Sequence, residues 1–326
     1  MTATLAATRQ PDPRASVPDA WGAPAWAVEL PGLASLAPPA ARADRLEVRL
    51  ARGTSFSRVE VVLPGVRGLE LPSFQQAVAE GYRAVFDQLA ATATPHPLRF
   101  WNFVPDIHAD LGAGLDRYMA FNVGRFAAYS AWCGGRDAIG RAVATGSAVG
   151  VGGDRLEIHC LAGRQAGTPV ENPRQVPAYR YSRHFGPLPP CFSRATALAE
   201  RLPGGGRLLV GGTASIRGED SLHRGDLALQ TKETLANLAS LVRSAAPPGR
   251  SDESALQLLP WLSRFRELRV YLPRPEHADQ VLELLSPHFK SVAQIELLQA
   301  ELCRAELLVE LEGVADIERP VRAGLS

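Results

Sequence analysis

The sequence has 326 residues, enough for one large domain or two ordinary ones with a sizeable core. Its residues are 46% hydrophobic and 21% charged, which is typical of a soluble globular protein. The formal net charge of +1 gives no basic surplus for binding nucleic acid and no acidic tail, and no apolar run is long enough to span a membrane.

The N-terminal segment 1–40 is rich in alanine and proline and has little periodicity, which predicts a leader that lies over the surface or is partly disordered. It lacks the basic-then-apolar order of a signal peptide, so we expect a cytoplasmic protein. The cysteines are scattered in a pattern that indicates neither a disulfide framework nor a metal site, and free thiols fit a reducing compartment. They are Cys133, Cys160, Cys191 and Cys303.

Helical and strand patterns alternate along the rest of the chain. Residues 71–93 have apolar side chains at helical spacing and are followed by an apolar, aromatic strand candidate at 98–108. A second amphipathic helix, 225–245, follows the strand candidate 206–216. A strand and a helix opened by proline and acidic residues come next, within 267–289. Two last strands are predicted within 292–304 and 306–315.

This order of elements predicts an α+β or α/β architecture, because strands lead into single helices and hairpin-like strand pairs recur. We expect two similar halves, divided within residues 171–195. That stretch, ENPRQVPAYRYSRHFGPLPPCFSRA, holds five prolines, four arginines and four aromatic rings, and it has neither helical nor strand periodicity. It is either a structural connector or the rigid wall of an anion site.

Three further segments each have two interpretations. The loop after the strand candidate 206–216 is either a tight turn or part of a site, and its glycine spacing matches neither a Walker A loop nor a dinucleotide fingerprint. The segment 144–153, rich in glycine and alanine, either lines a ligand pocket or packs tightly as a strand. Glu157 and His159 alternate along a strand and could bind a metal, but a solvated face is the interpretation we favour. The loop after the strand candidate 206–216 carries the charged or titratable residues Arg217, Glu219, Asp220 and His223.

The last predicted strand carries acidic side chains on one face and apolar side chains on the other. Such an acidic face is usually the side in contact with solvent. Cys303, however, lies shortly upstream beside Arg304, so a carboxyl group and a thiol could form a proton-transfer site if this face lines a cleft. The acidic residues are Glu306, Glu310 and Glu312, and the apolar ones are Leu307, Val309 and Leu311.

These segments together resemble known families. In the C-terminal half, the strand LLVGGTASI, the helix QTKETLANLASLV and the closing VELEGVA resemble the reactive-intermediate deaminase (YjgF/RidA-like) fold. From about Leu46 onward the chain resembles the chorismatases, which pair two such halves. The resemblance implies an α+β fold of the α/β type with halves 41–190 and 191–326, each a mixed sheet with helices packed on one face. The supporting motifs are LRFWNFVPDIH, RYMAFNVGR, ATGSAVG, the stretch 171–195, GTASIRGEDSLHRGD and LCRAELLVELEG.

Chorismatases cleave chorismate, a dicarboxylate with an enolpyruvyl ether, so the resemblance implies an enzyme of secondary metabolism that uses neither a metal nor an organic cofactor. Glu310 matches the family's catalytic glutamate, which protonates the methylene carbon of the enolpyruvyl group. Cys303 matches the residue of the 3-hydroxybenzoate-forming branch, whereas Ala214 resembles hydrolytic or mixed-product members. We therefore expect 3-hydroxybenzoate and pyruvate. The alternatives are hydrolysis to a 3,4-dihydroxycyclohexadiene carboxylate and pyruvate, or a mixture of 3- and 4-hydroxybenzoate.

The same resemblance gives the stretch 171–195 a ligand. The two carboxylates of chorismate need cationic partners, which the planar forks of arginine supply. Tyr179 and Phe185 would provide apolar walls, and Arg304 would favour the thiolate of its neighbour Cys303. The expected substrate-binding residues are Arg174, Tyr181, Arg183, Arg194, Thr213, Ala214, Ser215 and Arg304.

Two remoter alternatives are an imine or enamine deaminase and a non-catalytic metabolite-binding module. The deaminase activity usually relies on an arginine on the penultimate strand, and the matching segment offers only Arg304, which weighs against it. We expect chorismate as the partner, no nucleic acid or membrane, and either a monomer or a homotrimer.

Overall fold

The computed structural model describes residues 22–28, 30, 32–36, 40–41, 46–199, 205–246, 254–293 and 295–318. Much of the predicted leader lies outside the described residues. The described part of it includes helix α1 (Ala25–Val28) and strand β1 (Ala40–Ala41). Trp26 packs edge-on against Trp101 with ring centroids 5.8 Å apart, so this part of the leader is packed onto the body of the protein.

The first half of the described chain forms a six-stranded mixed sheet in the order β1-β2-β3-β6-β4-β5. Its strands after β1 are β2 (Glu47–Arg52), β3 (Phe56–Leu63), β4 (His96–Pro105), β5 (Thr145–Val151) and β6 (Leu156–Gly163). Its helices are α2 (Leu71–Ala90), α3 (Arg117–Trp132) and α4 (Ile139–Ala142). Neighbouring strands are antiparallel except β4 and β5, which are parallel.

The second half forms another six-stranded mixed sheet in the order β7-β8-β9-β14-β12-β13, with the small hairpin β10–β11 beside it. The strands are β7 (Thr168–Val170), β8 (Ala195–Ala197), β9 (Gly206–Ala214), β10 (Ile216–Arg217), β11 (Asp220–Ser221), β12 (Phe265–Leu272), β13 (Ile295–Gln299) and β14 (Glu310–Ile317). The helices are α5 (Leu227–Ser244), α6 (Ala255–Leu258) and α7 (Ala278–Leu285). Here β12 and β13 are the parallel pair.

The two sheets have the same strand order and place their parallel pair at the same edge. This confirms the predicted α+β fold with two similar halves. Strand β7 lies upstream of residue 191, so the second sheet includes a strand from the segment expected in the first half. The division at residues 190 and 191 stays a prediction. None of the helices in the described part of the chain is long and apolar enough to cross a membrane.

Helices α3 and α5 begin at acidic caps. The Asp116 carboxylate accepts a hydrogen bond from the Met119 N–H at 2.7 Å, and Asp226 accepts one from the Leu229 N–H at 2.9 Å. Each cap satisfies a backbone donor that the first helical turn leaves without a partner. The Asp116 cap fixes where α3 begins, and α3 carries a residue of the site described below, Arg125.

Apolar side chains fill three layers. One layer lies between the first sheet and its helices, one between the second sheet and its helices, and one between the two sheets. In the third layer Trp101 and Phe103 of β4 lie with Leu209 of β9 and Tyr271 of β12. The face of each sheet that carries no helices is therefore covered by the other sheet.

This third layer explains why the predicted solvent exposure of Glu157 and His159 is wrong. Glu157 and His159 are 5% and 2% exposed. Strand β6, which carries both, is flanked by β3 and β4. Instead of meeting water, His159 lies between two carboxylates, with Nδ1 3.4 Å from Glu60 and Nε2 3.2 Å from Glu157.

The same explanation holds for the last strand. Strand β14 begins only at Glu310, so Glu306 lies in the turn before it. Glu310 and Glu312 are 4% and 2% exposed, because the first sheet covers this face of the second. The usual expectation that an acidic strand face contacts solvent is therefore wrong for Glu310 and Glu312.

Candidate active site

Both halves of the molecule line a cavity of about 370 Å³. This volume falls within the range of about 300–1,000 Å³ typical of small-molecule sites. Gly146, Ser147 and Ala148 of β5 form the wall from the first sheet, which agrees with the pocket interpretation of segment 144–153. Strands β9 and β14, helix α3, the segment 303–306 and the stretch 171–195 form the other walls.

The stretch 171–195 contributes Tyr181, Phe185, Phe192 and Arg194 to the cavity wall. Arg194 is 4% exposed and donates from Nη2 to the Tyr181 hydroxyl at 2.5 Å. Its guanidinium also lies 5.2 Å from the ring centre of Phe192, a cation–π distance. Tyr179 does not line the cavity and packs near Gly140 instead.

The other predicted arginines of this stretch lie elsewhere. Arg174 donates to Glu233 at 2.6 Å and to Asn237 at 2.8 Å, both on α5, and does not line the cavity. Arg183 is exposed and also lies outside the cavity lining. The stretch is therefore both connector and cavity wall: Arg174 ties it to the second half, and Arg194 faces the cavity.

The sequence did not single out Arg125 of α3, which is a second buried guanidinium at the cavity. It is 1% exposed, donates from Nη2 to Asn122 at 2.6 Å and lies 5.6 Å from the ring centre of Phe192. Arg125 and Arg194 thus share Phe192 as a neighbour. Among the described residues, neither Nε atom has a hydrogen-bond partner. The only sequence signal was the motif RYMAFNVGR, which ends at Arg125.

Glu310 of β14 places its carboxyl group at the cavity, against the backbone of the neighbouring strand β9. A Cβ atom at Gly212 would lie only 2.0 Å from Glu310 Oε1, so glycine is required there for close approach. In the described part of the chain no side chain donates a hydrogen bond to this carboxyl group. Burial raises the pKa of Glu310 to about 8, the charge of Glu312 acts in the same direction, and Arg99 and Arg194 oppose them.

Two residues further along the strand, Glu312 has very different surroundings. Its Oε2 accepts hydrogen bonds from Arg99 Nη2 at 2.6 Å and Ser147 Oγ at 2.7 Å. Its Oε1 accepts from Trp101 Nε1 at 2.9 Å and the Tyr271 hydroxyl at 3.2 Å. Glu312 does not line the cavity, and its partners come from both sheets. This set of donors was also missed from the sequence.

Cys303 lines the cavity beside Arg304, as the sequence predicts, but the expected thiolate is wrong. Burial raises the pKa of the Cys303 thiol to about 12, and the charge of Glu310 acts in the same direction. These effects outweigh the nearby Arg304 and Arg194. The Arg304 guanidinium instead lies 3.9 Å from the ring centre of Phe185 and donates to Ser221 at 3.0 Å.

Strand alternation separates the three residues predicted at the end of β9. Ala214 lines the cavity together with Gly212. Thr213 and Ser215 do not: the Thr213 hydroxyl donates to the Gly211 carbonyl at 2.9 Å, and the Ser215 hydroxyl donates to the Leu222 carbonyl at 3.1 Å. The described residues contain no group of three or more His, Cys, Asp or Glu side chains arranged to hold a metal ion.

Comparisons with known proteins agree with this geometry. The family model "Chorismatase FkbO/Hyg5-like, N-terminal" matches residues 38–162. A 3-hydroxybenzoate synthase of Streptomyces hygroscopicus is 34% identical over 244 residues, which cover 74% of this chain and 69% of that protein. A chorismatase of Streptomyces rapamycinicus is 34% identical over 265 residues, which cover 80% of this chain and 77% of that one. A chorismatase crystal structure matches with a TM-score of 0.68 at 29% identity, covering 82% of this chain and 77% of that chain.

Proposed function

This chain belongs to the chorismatase family, and we propose that it converts chorismate to 3-hydroxybenzoate and pyruvate without added metal or organic cofactor. The observation that carries the proposal is Glu310, a buried carboxyl group at the cavity that has no hydrogen-bond donor among the described residues. Because the pKa of Glu310 is raised to about 8, this group is a protonated acid at neutral pH.

The proposed chemistry starts with proton transfer from Glu310 to the methylene carbon of the enolpyruvyl group. This creates an oxocarbenium-like centre at the ether carbon. If water traps the cation, a hemiketal collapses to pyruvate and the dihydroxycyclohexadiene carboxylate, which is a net hydrolysis. If the neighbouring ring hydroxyl takes part instead, the ring becomes aromatic. Hydroxybenzoate and pyruvate together have the atoms of chorismate, so that route consumes no water.

We assign the two carboxylates of chorismate to Arg125 and Arg194. Both guanidiniums are buried at the cavity, and both have an Nε atom without a partner among the described residues. A planar guanidinium can donate two parallel hydrogen bonds to a carboxylate, and burial strengthens such charge-assisted contacts. Phe192 and Tyr181 supply apolar surface for the ring. Arg304, stacked on Phe185, lies at the same cavity as a third cation.

The choice of ring product rests on Cys303 and Ala214, which both line the cavity. Cys303 as a neutral thiol could hydrogen-bond to a ring hydroxyl or shape the pocket, and its position supports the 3-hydroxybenzoate route. Ala214 favours the second candidate, a chorismate hydrolase or a mixed 3- and 4-hydroxybenzoate synthase. Cytoplasmic location, the use of the product in secondary metabolism, and a monomeric or trimeric state stay predictions.

The test is incubation of the purified protein with chorismate in the presence of a chelator. Pyruvate is followed with a coupled lactate dehydrogenase assay, and the ring products are separated by chromatography with mass detection. We expect 3-hydroxybenzoate and pyruvate in equal amounts. Pyruvate with only the dihydroxy diene would establish the hydrolase instead. No pyruvate release, or release restored only by added metal, would contradict the proposal.

A further inference from the structure

The pair of glutamates on β14 contains one residue that faces the cavity and one that does not, and the second has no role in the chemistry proposed above. Both are buried, at 4% and 2% exposure for Glu310 and Glu312. The pairing of β14 with β9 shifts register between Leu311 and Gly313, so Glu312 sits at an irregularity of the strand. Such bulges often re-aim side chains next to active sites.

The contacts of Glu312 fit a carboxylate ion. Two of its four partners, Arg99 and Trp101, can only donate hydrogen bonds. One of these obligate donors binds each carboxylate oxygen, and a hydroxyl from Ser147 or Tyr271 binds beside it. A second cation, Arg269, has Nη1 3.9 Å from Oε1.

These contacts also hold Glu312 in one place. Arg99 and Trp101 belong to β4 and Ser147 to β5, whereas Tyr271 belongs to β12. Both sheets therefore fix the position of this charge. Glu312 is buried, is held by four hydrogen bonds and does not line the cavity, so it is not placed to contact a substrate. Any effect of Glu312 on the reaction must therefore act through Glu310.

We propose that Glu312 is a positioning residue whose fixed negative charge keeps Glu310 protonated, so that Glu310 can act as the acid. Two like charges buried on one strand face are unfavourable together, so the carboxyl group without donors takes the proton. This inference rests on the proposed function, since it concerns the acid of that reaction. The four buried hydrogen bonds of Glu312 would then serve the reaction as well as join the two sheets.

The other groups that face Glu310 come from several elements. Arg99 on β4 and Arg194 before β8 are cations and act against protonation of Glu310. Tyr118 on α3 and the thiol of Cys303 also lie near it, and burial raises the pKa of both groups, so they are neutral. Glu312 is thus the charge that counteracts the two arginines.

The test compares the pH profile of kcat/KM for pyruvate release in the parent, Glu312→Gln and Glu312→Asp. The acid must be protonated, so the rate of the parent should fall as the pH rises through about 8. Glu312→Gln removes the charge, so this fall should move to lower pH by about one unit or more. Glu312→Asp keeps the charge, so its profile should fall where the parent's does, even if its rate is lower. A purely structural role would lower the rate of both variants without separating their profiles.

A second variant is needed because Glu312→Gln leaves Arg99 as a buried cation without its carboxylate, which can prevent folding. The double variant Arg99→Gln, Glu312→Gln leaves no such charge. Its profile is compared with that of Arg99→Gln, which keeps Glu312, and should fall at lower pH than the profile of that variant.

The outcomes separate the two proposals. A parent that releases no pyruvate from chorismate contradicts the proposed function itself. An active parent whose profile is unchanged in Glu312→Gln contradicts only the role of Glu312, and so does an equal pH profile of Arg99→Gln and the double variant if the single variant does not fold.

Discussion

Among the described residues, two clusters of buried acidic side chains, one in each half, differ in what surrounds them. In the first half, His159 lies 3.4 Å from Glu60 and 3.2 Å from Glu157, and each carboxylate also has an arginine partner, Arg58 for Glu60 and Arg155 for Glu157. In the second half, Glu312 accepts four hydrogen bonds, whereas Glu310 accepts none from the described residues and faces the cavity.

The pKa values follow this difference. Burial alone would raise the pKa of Glu60, but the adjacent His159, together with Arg58 and Arg49, outweighs it and lowers that pKa. For Glu310 burial is reinforced by Glu312, and its pKa rises to about 8. Burial by itself therefore does not mark a catalytic acid. A buried carboxyl group left without donors at a cavity does.

The largest expected effect comes from replacing the acid. Glu310→Gln keeps the shape of the side chain and removes its proton, so kcat for pyruvate release should fall by about 10²- to 10⁴-fold. Chorismate should still bind, because the carboxylate contacts are kept. Glu157→Gln is the matched control from the first-half cluster, and its kcat should stay within a few-fold of the parent. Equal loss in both variants, measured on folded protein, would remove the distinction between the clusters.

A smaller effect is expected from filling the space beside the acid. In Gly212→Ala the new Cβ would lie 2.0 Å from Glu310 Oε1, so the carboxyl group must move. A displacement of about 1 Å can lower a rate by about 10²-fold. Gly68→Ala is the control, because nothing lies within 4 Å of a Cβ there. Steady-state kinetics of both variants at neutral pH check this, and parent-like activity of Gly212→Ala would show that close packing on Glu310 is not needed.

Replacing Cys303 should change the product more than the rate. Its pKa of about 12 makes it a neutral thiol at the cavity, next to an acid that is also neutral. Cys303→Ala should still release pyruvate within a few-fold of the parent, while the ring product shifts from 3-hydroxybenzoate toward the dihydroxy diene. Chromatography with mass detection measures the ratio. An unchanged ratio would reduce Cys303 to a packing residue.

The smallest effect on activity is expected in the first-half cluster. Burial acts to lower the pKa of His159, but Glu157 and Glu60 outweigh it, so this pKa is raised above 6.5. The resulting stabilisation is fully present below pH 6.5 and is lost as the pH rises through the pKa of the folded state. The free energy of unfolding of the parent should therefore exceed that of His159→Gln most at low pH, with a gap that narrows as the pH rises.

Urea denaturation at a series of pH values measures this gap. The activity profile of His159→Gln should still fall at the same pH as that of the parent. A shift of that profile would mean that the two clusters are coupled.

Much of the fold could be predicted from the sequence, because it follows from local patterns. Apolar spacing over 71–93 and 225–245 predicts helices that the structure places at Leu71–Ala90 and Leu227–Ser244. The burial of Glu157 and Glu312 could not be predicted, since it depends on a second sheet covering the face that each strand would otherwise expose to water.

The positions of the arginines at the site also could not be predicted from the sequence. Arg174 and Arg194 lie in one short stretch, but Arg174 meets Glu233, a residue 59 positions away, and Arg194 faces the cavity. Arg125 lies on a helix of the other half and reaches the same cavity only in the folded protein. Family motifs could identify Glu310 and Cys303 as candidates, but the partners that set their protonation come from distant strands.

The most direct test of this account is the protonation state of Glu310 in the free protein. Infrared difference spectra between the parent and Glu310→Gln isolate the carboxyl group of this residue. The account predicts a C=O band of a protonated carboxyl group at neutral pH, absent from Glu310→Gln and lost from the parent as the pH rises through about 8. A parent spectrum that shows only an ionised carboxylate for Glu310 at neutral pH would contradict it.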